Sequence, residues 1–123
     1  MPELRRFSIH TITNKPWPVE RCIDAYAAAG VGGITLWRNN FEGRDPAGVG
    51  RQIREAGLVC TGLARGGFFP AATAAGRQAA VDENKRAIDE TAACGAPALV
   101  LVCGAVPGQA LEESRKQVTE GIA

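Results

Sequence analysis

The chain is short of the residues that most polar chemistry uses. It has one histidine (His10), one tyrosine and one methionine in 123 residues. Its four cysteines, Cys22, Cys60, Cys94 and Cys103, form no C-x-x-C pair. With a single histidine to join them, the set argues against a zinc site. Free, mostly buried thiols in a reducing compartment are expected instead. Neither sign of charge is in excess, since 14 basic and 13 acidic side chains leave a net +1. That supplies no field for nucleic acid or an anionic membrane. No apolar run approaches the roughly 20 residues of a membrane span. No apolar signal-peptide core follows Met1-Pro2-Glu3-Leu4-Arg5-Arg6, so a cytoplasmic location is expected. A dinucleotide-binding G-x-G-x-x-G is missing after the first strand candidate, where the sequence reads Thr11-Ile12-Thr13-Asn14-Lys15-Pro16. A P-loop is also missing, as are the strand-end acids of a phosphoacceptor domain.

What is present is alternation. Phe7-Ser8-Ile9-His10 reads as a short strand. Pro18 suits the first turn of a helix whose apolar face is Val19, Cys22, Ile23, Tyr26 and Ala27, with Gly30 ending it. Gly33 to Trp37 is a second strand. Asp45 and Pro46 open a second helix, with Val49, Ile53 and Ala56 as its stripe and Gly57 as its stop. Gly48 and Gly50 should weaken that helix by about 1 kcal/mol each relative to alanine. Leu58 to Ala64 is a third strand, followed by the loop Arg65-Gly66-Gly67-Phe68-Phe69-Pro70. A long helix runs from about Thr73 to Cys94, with Ala80, Val81, Asn84, Ala87, Ile88, Thr91 and Ala92 as its buried stripe. Ala98 to Cys103 is nearly all apolar, the mark of a parallel strand covered on both faces. Leu111, Arg115, Val118 and Ile122 begin a fourth helix that runs to the last residue without a cap.

Four strand–helix units imply α/β class, parallel strands and right-handed crossovers in one domain, residues 1–123. Two architectures fit: a (βα)4 half of a TIM barrel, or a small doubly wound flavodoxin-like sheet. Both bind ligands at the C-terminal ends of their strands. The residues there are His10, Trp37-Arg38, Arg65 to Phe69, and Cys103-Gly104.

At these strand ends the chain resembles the sugar phosphate isomerase/epimerase family, the xylose-isomerase-like TIM barrels. The stretches that carry the likeness are Phe7 to Thr13, Gly33 to Arg38, Arg65 to Pro70, and Asp82 to Asp89 running into Gly95-Ala96-Pro97. The resemblance implies a divalent metal ion (Mn, Mg or Zn) in the full-length protein, held by Glu, Asp, His or Gln from strands of a second half. It also implies a sugar or hydroxy-carbonyl substrate and carboxylate-assisted proton transfer. On this reading the chain is the N-terminal half, truncated in its fourth helix and inactive alone. The rival reading is a non-catalytic α/β module for small-ligand binding or protein interaction.

The residues themselves point the same way. Of the 13 acids only Glu42 and Asp45 fall in a strand-to-helix loop on the ligand face, and Asp45 is expected as a helix cap. No pair of carboxylates converges, so no catalytic residue and no metal ligand is assigned. The candidate substrate-binding residues are His10, Trp37, Arg38, Arg65, Gly66, Phe68 and Phe69. His10 offers a proton or a hydrogen bond, or is simply satisfied by backbone at the strand end. Trp37 stacks on a sugar face or packs the barrel mouth. Arg38 and Arg65 hold an anionic or hydroxyl group, or form inter-loop ion pairs. Gly66 permits close approach to a ligand. Phe68 and Phe69 line the pocket or cover the third helix. Asn84, polar on an apolar stripe, is expected to tie down a neighbouring loop. A half barrel would leave open strand edges, from which self-association is expected.

Overall fold

A computed structural model describes residues 3–123. Four strands, β1 (Ser8–His10), β2 (Gly33–Trp37), β3 (Val59–Gly67) and β4 (Leu99–Val102), alternate with four helices. The helices are α1 (Val19–Ala28), α2 (Pro46–Glu55), α3 (Ala74–Cys94) and α4 (Leu111–Ile122). All strand pairs are parallel, and their order across the sheet is β1-β2-β3-β4. A doubly wound sheet reverses its order partway, with helices on both faces. Consecutive order removes that alternative and leaves the half barrel.

One core explains the arrangement. Strand residues alternate between faces. Ile34, Leu36 and Leu63 point to one side, where Val19, Cys22, Ile23 and Tyr26 of α1 and Val49 and Ile53 of α2 meet them. Full burial of such aliphatic side chains contributes about 1.5–3 kcal/mol apiece. The opposite, concave face holds a hydroxyl triangle. Ser8 Oγ lies 3.3 Å from Thr35 Oγ1 and 2.5 Å from Thr61 Oγ1, and the two threonine oxygens are 2.9 Å apart.

Helix ends follow the sequence closely. The Asp45 carboxylate accepts from Gly48 N–H at 3.2 Å, and Thr73 Oγ1 accepts from Gly76 N–H at 3.0 Å. Gly30, Gly57 and Gly95 all follow helices with positive φ. Pro18 is the cap itself rather than the first helical residue.

Three expectations fail at the level of elements. The third strand does not stop at Ala64 but runs through Gly67, because β4 continues the pairing as far as Gly67↔Val102. Strand β4 is not covered on both faces: Val100, Leu101 and Val102 are exposed. On α3 the buried line is Asn84, Ala87, Thr91 and Cys94, while Ile88 and Ala92 face outward. On α4 the apolar stripe does not mark the buried face. Ser114 and Gln117 are buried, whereas Leu111 and Ile122 are exposed. Gly121 explains that choice, since its missing side chain leaves room for the Phe69 ring.

Candidate substrate-binding rim

The C-terminal ends of β1, β2 and β3 bring four of the candidate residues together. His10 Nδ1 accepts from the Trp37 indole N–H at 3.1 Å, and the rings meet edge-on with centroids 6.4 Å apart. The Arg65 guanidinium lies 5.7 Å from the Trp37 ring centre and 4.6 Å from that of Phe68. The group His10–Trp37–Arg65–Phe68 is thus continuous across three strand ends, and it faces solvent.

Local structure explains how each is aimed. Trp37 is held from its backbone: its N–H donates to Thr11 Oγ1 (3.2 Å) and Asn40 Oδ1 (3.0 Å). Thr11 in turn donates to Asn40 at 2.7 Å, and both residues are buried. Arg65 is the extra residue of a bulge. Ala64 pairs with Val100 and Gly66 with Leu101, so nothing opposes Arg65 on β4. Bulges near strand ends re-aim one side chain in this way. The peptide joining Ala64 to Arg65 is cis. Phe68 follows with φ +56°. A non-glycine residue in that region costs on the order of 1–3 kcal/mol and needs surroundings that enforce it. Its N–H donates to Val102 O at 2.7 Å, and its ring abuts Gly104.

The remaining candidates are placed elsewhere. Arg38 turns toward α3 and is saturated there. Its Nε and Nη2 reach both oxygens of Glu90 at 2.5 and 3.2 Å, and its Nη1 reaches Glu83 at 2.6 Å. Arg86 and then Arg38 hold the Glu83 carboxyl below its ordinary range. Gly66 is buried on the helix side, where a side chain would meet Asn84 Oδ1 at 2.7 Å and the Leu99 and Leu101 methyls. Its open space therefore admits Asn84 rather than a ligand. Phe69 is buried against Gly121 of α4 and lines the crevice between α3 and α4. The two phenylalanines, adjacent in sequence, serve opposite layers.

Asn84 ties down the segment below the rim, as its place on the apolar stripe implied. Its Oδ1 accepts from Gly67 N–H at 2.6 Å, and its amide N donates to Gly67 O and Ala80 O, both at 2.8 Å. Thr11 and Asn40 were missed by sequence reasoning. The available signal was a short polar residue immediately past a strand end, the kind that hydrogen-bonds nearby backbone.

Two other features lie off the rim. Cys60 of β3 donates to Gly62 O at 3.7 Å and Cys94 of α3 to Thr91 O at 3.5 Å; the neighbouring Cys94 thiol and burial push Cys60 above the usual thiol range. Cys103, just past β4, is exposed. An apolar crevice over β4 is lined by Phe69, Val81, Ile88, Leu99, Leu101 and Ile122. It contains none of the strand-end residues His10, Trp37 and Arg65, and its one amide, Asn84, is fully engaged. It is a packing gap beside the exposed strand. Among the described residues no group of three or more His, Cys, Asp or Glu side chains is arranged to hold a metal ion. The residues present therefore do not fit the divalent ion that the resemblance implies. No helix among the described residues is long and apolar enough to cross a membrane.

Consecutive parallel βα units with polar residues at the strand C-termini define the βα-barrel class. The chain belongs to the xylose isomerase-like TIM barrel family, whose model matches residues 23–123. Solved structures agree. Protein SMc04130 from Sinorhizobium meliloti 1021 superimposes with TM-score 0.85 and 40% identity, over 94% of this chain and 43% of that one. A xylose isomerase domain containing protein from Salmonella typhimurium LT2 gives TM-score 0.75 at 17% identity, over 96% of this chain and 44% of the other. A D-psicose 3-epimerase solved in the presence of D-fructose gives 0.72 at 15% identity, over 94% and 45%. The chain thus spans less than half the length of these relatives. No curated protein sequence gives a significant match.

Proposed function

We propose that the chain forms the substrate-positioning part of a sugar isomerase or epimerase of this family. Its substrate would be a sugar or hydroxy-carbonyl compound. The observation that carries the reading is the continuous His10–Trp37–Arg65–Phe68 rim at the strand C-termini, where barrels of this class bind ligands. Trp37 offers a flat apolar wall for the C–H face of a sugar. His10, with Nδ1 accepting from Trp37, keeps its neutral-form proton on Nε2, which can donate to a substrate oxygen. Arg65 places a cation beside both.

Isomerisation beside a carbonyl also needs a base and an electrophile on the oxygen. The described residues bring no group of carboxylates together for the base or the metal, so the proposal places the divalent ion and the carboxylate base on further βα units, and no step is routed through them. The test uses the 123-residue chain with D-fructose and D-psicose, with and without Mn²⁺. The expected result is perturbation of the Trp37 indole and His10 ring resonances by sugar, with no turnover. Turnover would overturn the positioning role, and unperturbed resonances would overturn the sugar wall. The absence of converging carboxylates among the described residues supports a second reading, a non-catalytic small-ligand module. The two separate on whether adding βα units to the chain creates turnover.

A further inference from the structure

We infer that Thr11 and Asn40 are positioning residues for this rim: their buried side chains tie the end of β1 to the end of β2 and so hold His10 against Trp37. The inference rests on the sugar-directed reading above and adds to it the device that aims its hydrogen-bond donor. Three observations lead there.

The first is where the sheet stops. Strand β1 pairs with β2 at Ser8↔Gly33, Ile9↔Ile34 and His10↔Thr35, and no further. Trp37 lies two residues past Thr35, and its ladder partner is Ala64 of β3. The backbone ladder therefore fixes Trp37 to β3 but not to β1, whose chain turns into a 3-10 segment at Thr11–Asn14. At that gap side chains replace the ladder. The Trp37 backbone N–H donates to Thr11 Oγ1 at 3.2 Å and to Asn40 Oδ1 at 3.0 Å. The Thr11 hydroxyl donates to the same Asn40 oxygen at 2.7 Å.

The second is burial. Thr11 is 3% and Asn40 6% exposed, so water competes little for these bonds and an unmade one is costly. The third is the lack of other restraints on His10. Its one side-chain hydrogen bond among the described residues comes from the Trp37 indole. That bond occupies Nδ1 and leaves Nε2–H for a ligand. It is exposed, and an exposed bond between neutral groups adds little by itself, because water offers each group the same. It persists where its partners are already held at bonding distance. Thr11 follows His10 directly, and Asn40 lies three residues after Trp37. The buried tie thus joins the same two chain segments that the exposed bond joins. Both residues act through Trp37 and His10 rather than on the ligand.

The experiment reads the exposed bond itself, as the nitrogen–nitrogen scalar coupling between Trp37 Nε1 and His10 Nδ1 in the isotope-labelled 123-residue chain, at a pH that keeps an imidazole neutral. Thr11→Val keeps the side-chain shape and leaves Asn40 bonded to the Trp37 N–H, but removes both cross-strand bonds, so the coupling should vanish. Asn40→Ala leaves the Thr11–Trp37 bond and should weaken it. Thr11→Ser keeps the hydroxyl and should restore it. Arg38→Gln removes the ion pairs to Glu83 and Glu90 from the residue beside Trp37 and should leave it unchanged, which a merely structural role would not predict. D-fructose, followed by the His10 ring resonances, should bind Thr11→Val about three- to ten-fold more weakly than wild type, the scale of one neutral hydrogen bond. No coupling in the wild type, a coupling that survives Thr11→Val with an unchanged circular dichroism spectrum, or one that Arg38→Gln abolishes equally overturns the inference and leaves the sugar reading standing. So does an unchanged D-fructose affinity in Thr11→Val. Should Thr11→Val fail to fold, the contrast between Asn40→Ala and Arg38→Gln decides. A wild-type chain that ignores D-fructose overturns the sugar reading, and the couplings then decide the tie by themselves.

Discussion

At the scale of single residues, the structure is most sensitive where one side chain serves several backbone groups. Asn84 does so for the segment beneath the rim: its amide takes both polar groups of Gly67 and one carbonyl of its own helix. Gly67 is itself buried, and a side chain on it would collide with the Val102 carbonyl, so neither residue can yield. Asn84→Ala leaves the Gly67 N–H and C=O without partners, at about 1–3 kcal/mol for each unsatisfied group. A loss of about 2–4 kcal/mol is expected, read as a lower urea midpoint with an unchanged slope. This role was legible in the sequence, because a polar residue on an apolar stripe must find partners. The roles of Arg38 and Gly66 were not. Both sit among rim residues in the sequence, and only the third dimension shows that Arg38 faces the carboxylates of α3 and Gly66 faces Asn84. Arg65 escaped that fate because the bulge leaves it no partner on β4.

At the scale of elements, glycine shows why propensity alone misleads. Gly50 lies inside α2, where it costs about 1 kcal/mol of helix propensity relative to alanine. In the fold a side chain there would sit 2.5 Å from the Cys94 carbonyl oxygen. The glycine lets α2 press directly on the last turn of α3. Gly50→Ala therefore sets a gain of about 1 kcal/mol against overpacking of about 1–3 kcal/mol into backbone that cannot rotate away. Net destabilisation is expected, whereas Gly48→Ala, with its nearest neighbour at 3.6 Å, should be neutral or stabilising. Thermal unfolding of the two variants side by side checks the contrast. Helix α4 teaches the same lesson in reverse. Its apolar Leu111 and Ile122 are exposed, because Gly121 and the Phe69 ring decide the contact. Periodicity identifies a helix, while the partner's shape chooses which side it buries.

At the scale of the whole molecule, the alternation of strands and helices was plain in the sequence and the strand order was not. A run of apolar residues such as Gly33 to Leu36 is buried in either a one-sided or a two-sided sheet, so its pattern cannot say which. The concave face settles it, with hydroxyls at Ser8, Thr35 and Thr61 and with Val59, Val100 and Val102 open to solvent. Exposed valines on parallel edge and face positions promote pairing with other chains. We propose that the 123-residue chain self-associates through this face. Sedimentation velocity should show a concentration-dependent shift that Val100→Lys with Val102→Lys abolishes; a monomer at all concentrations would refute it. Finally, the adjacent rings of Phe68 and Phe69 make one peptide a fulcrum. One ring sits under Arg65, and the other is seated on Gly121 at the far end of the outermost helix. A single peptide thus joins the ring that supports the rim's cation to the ring that seats α4.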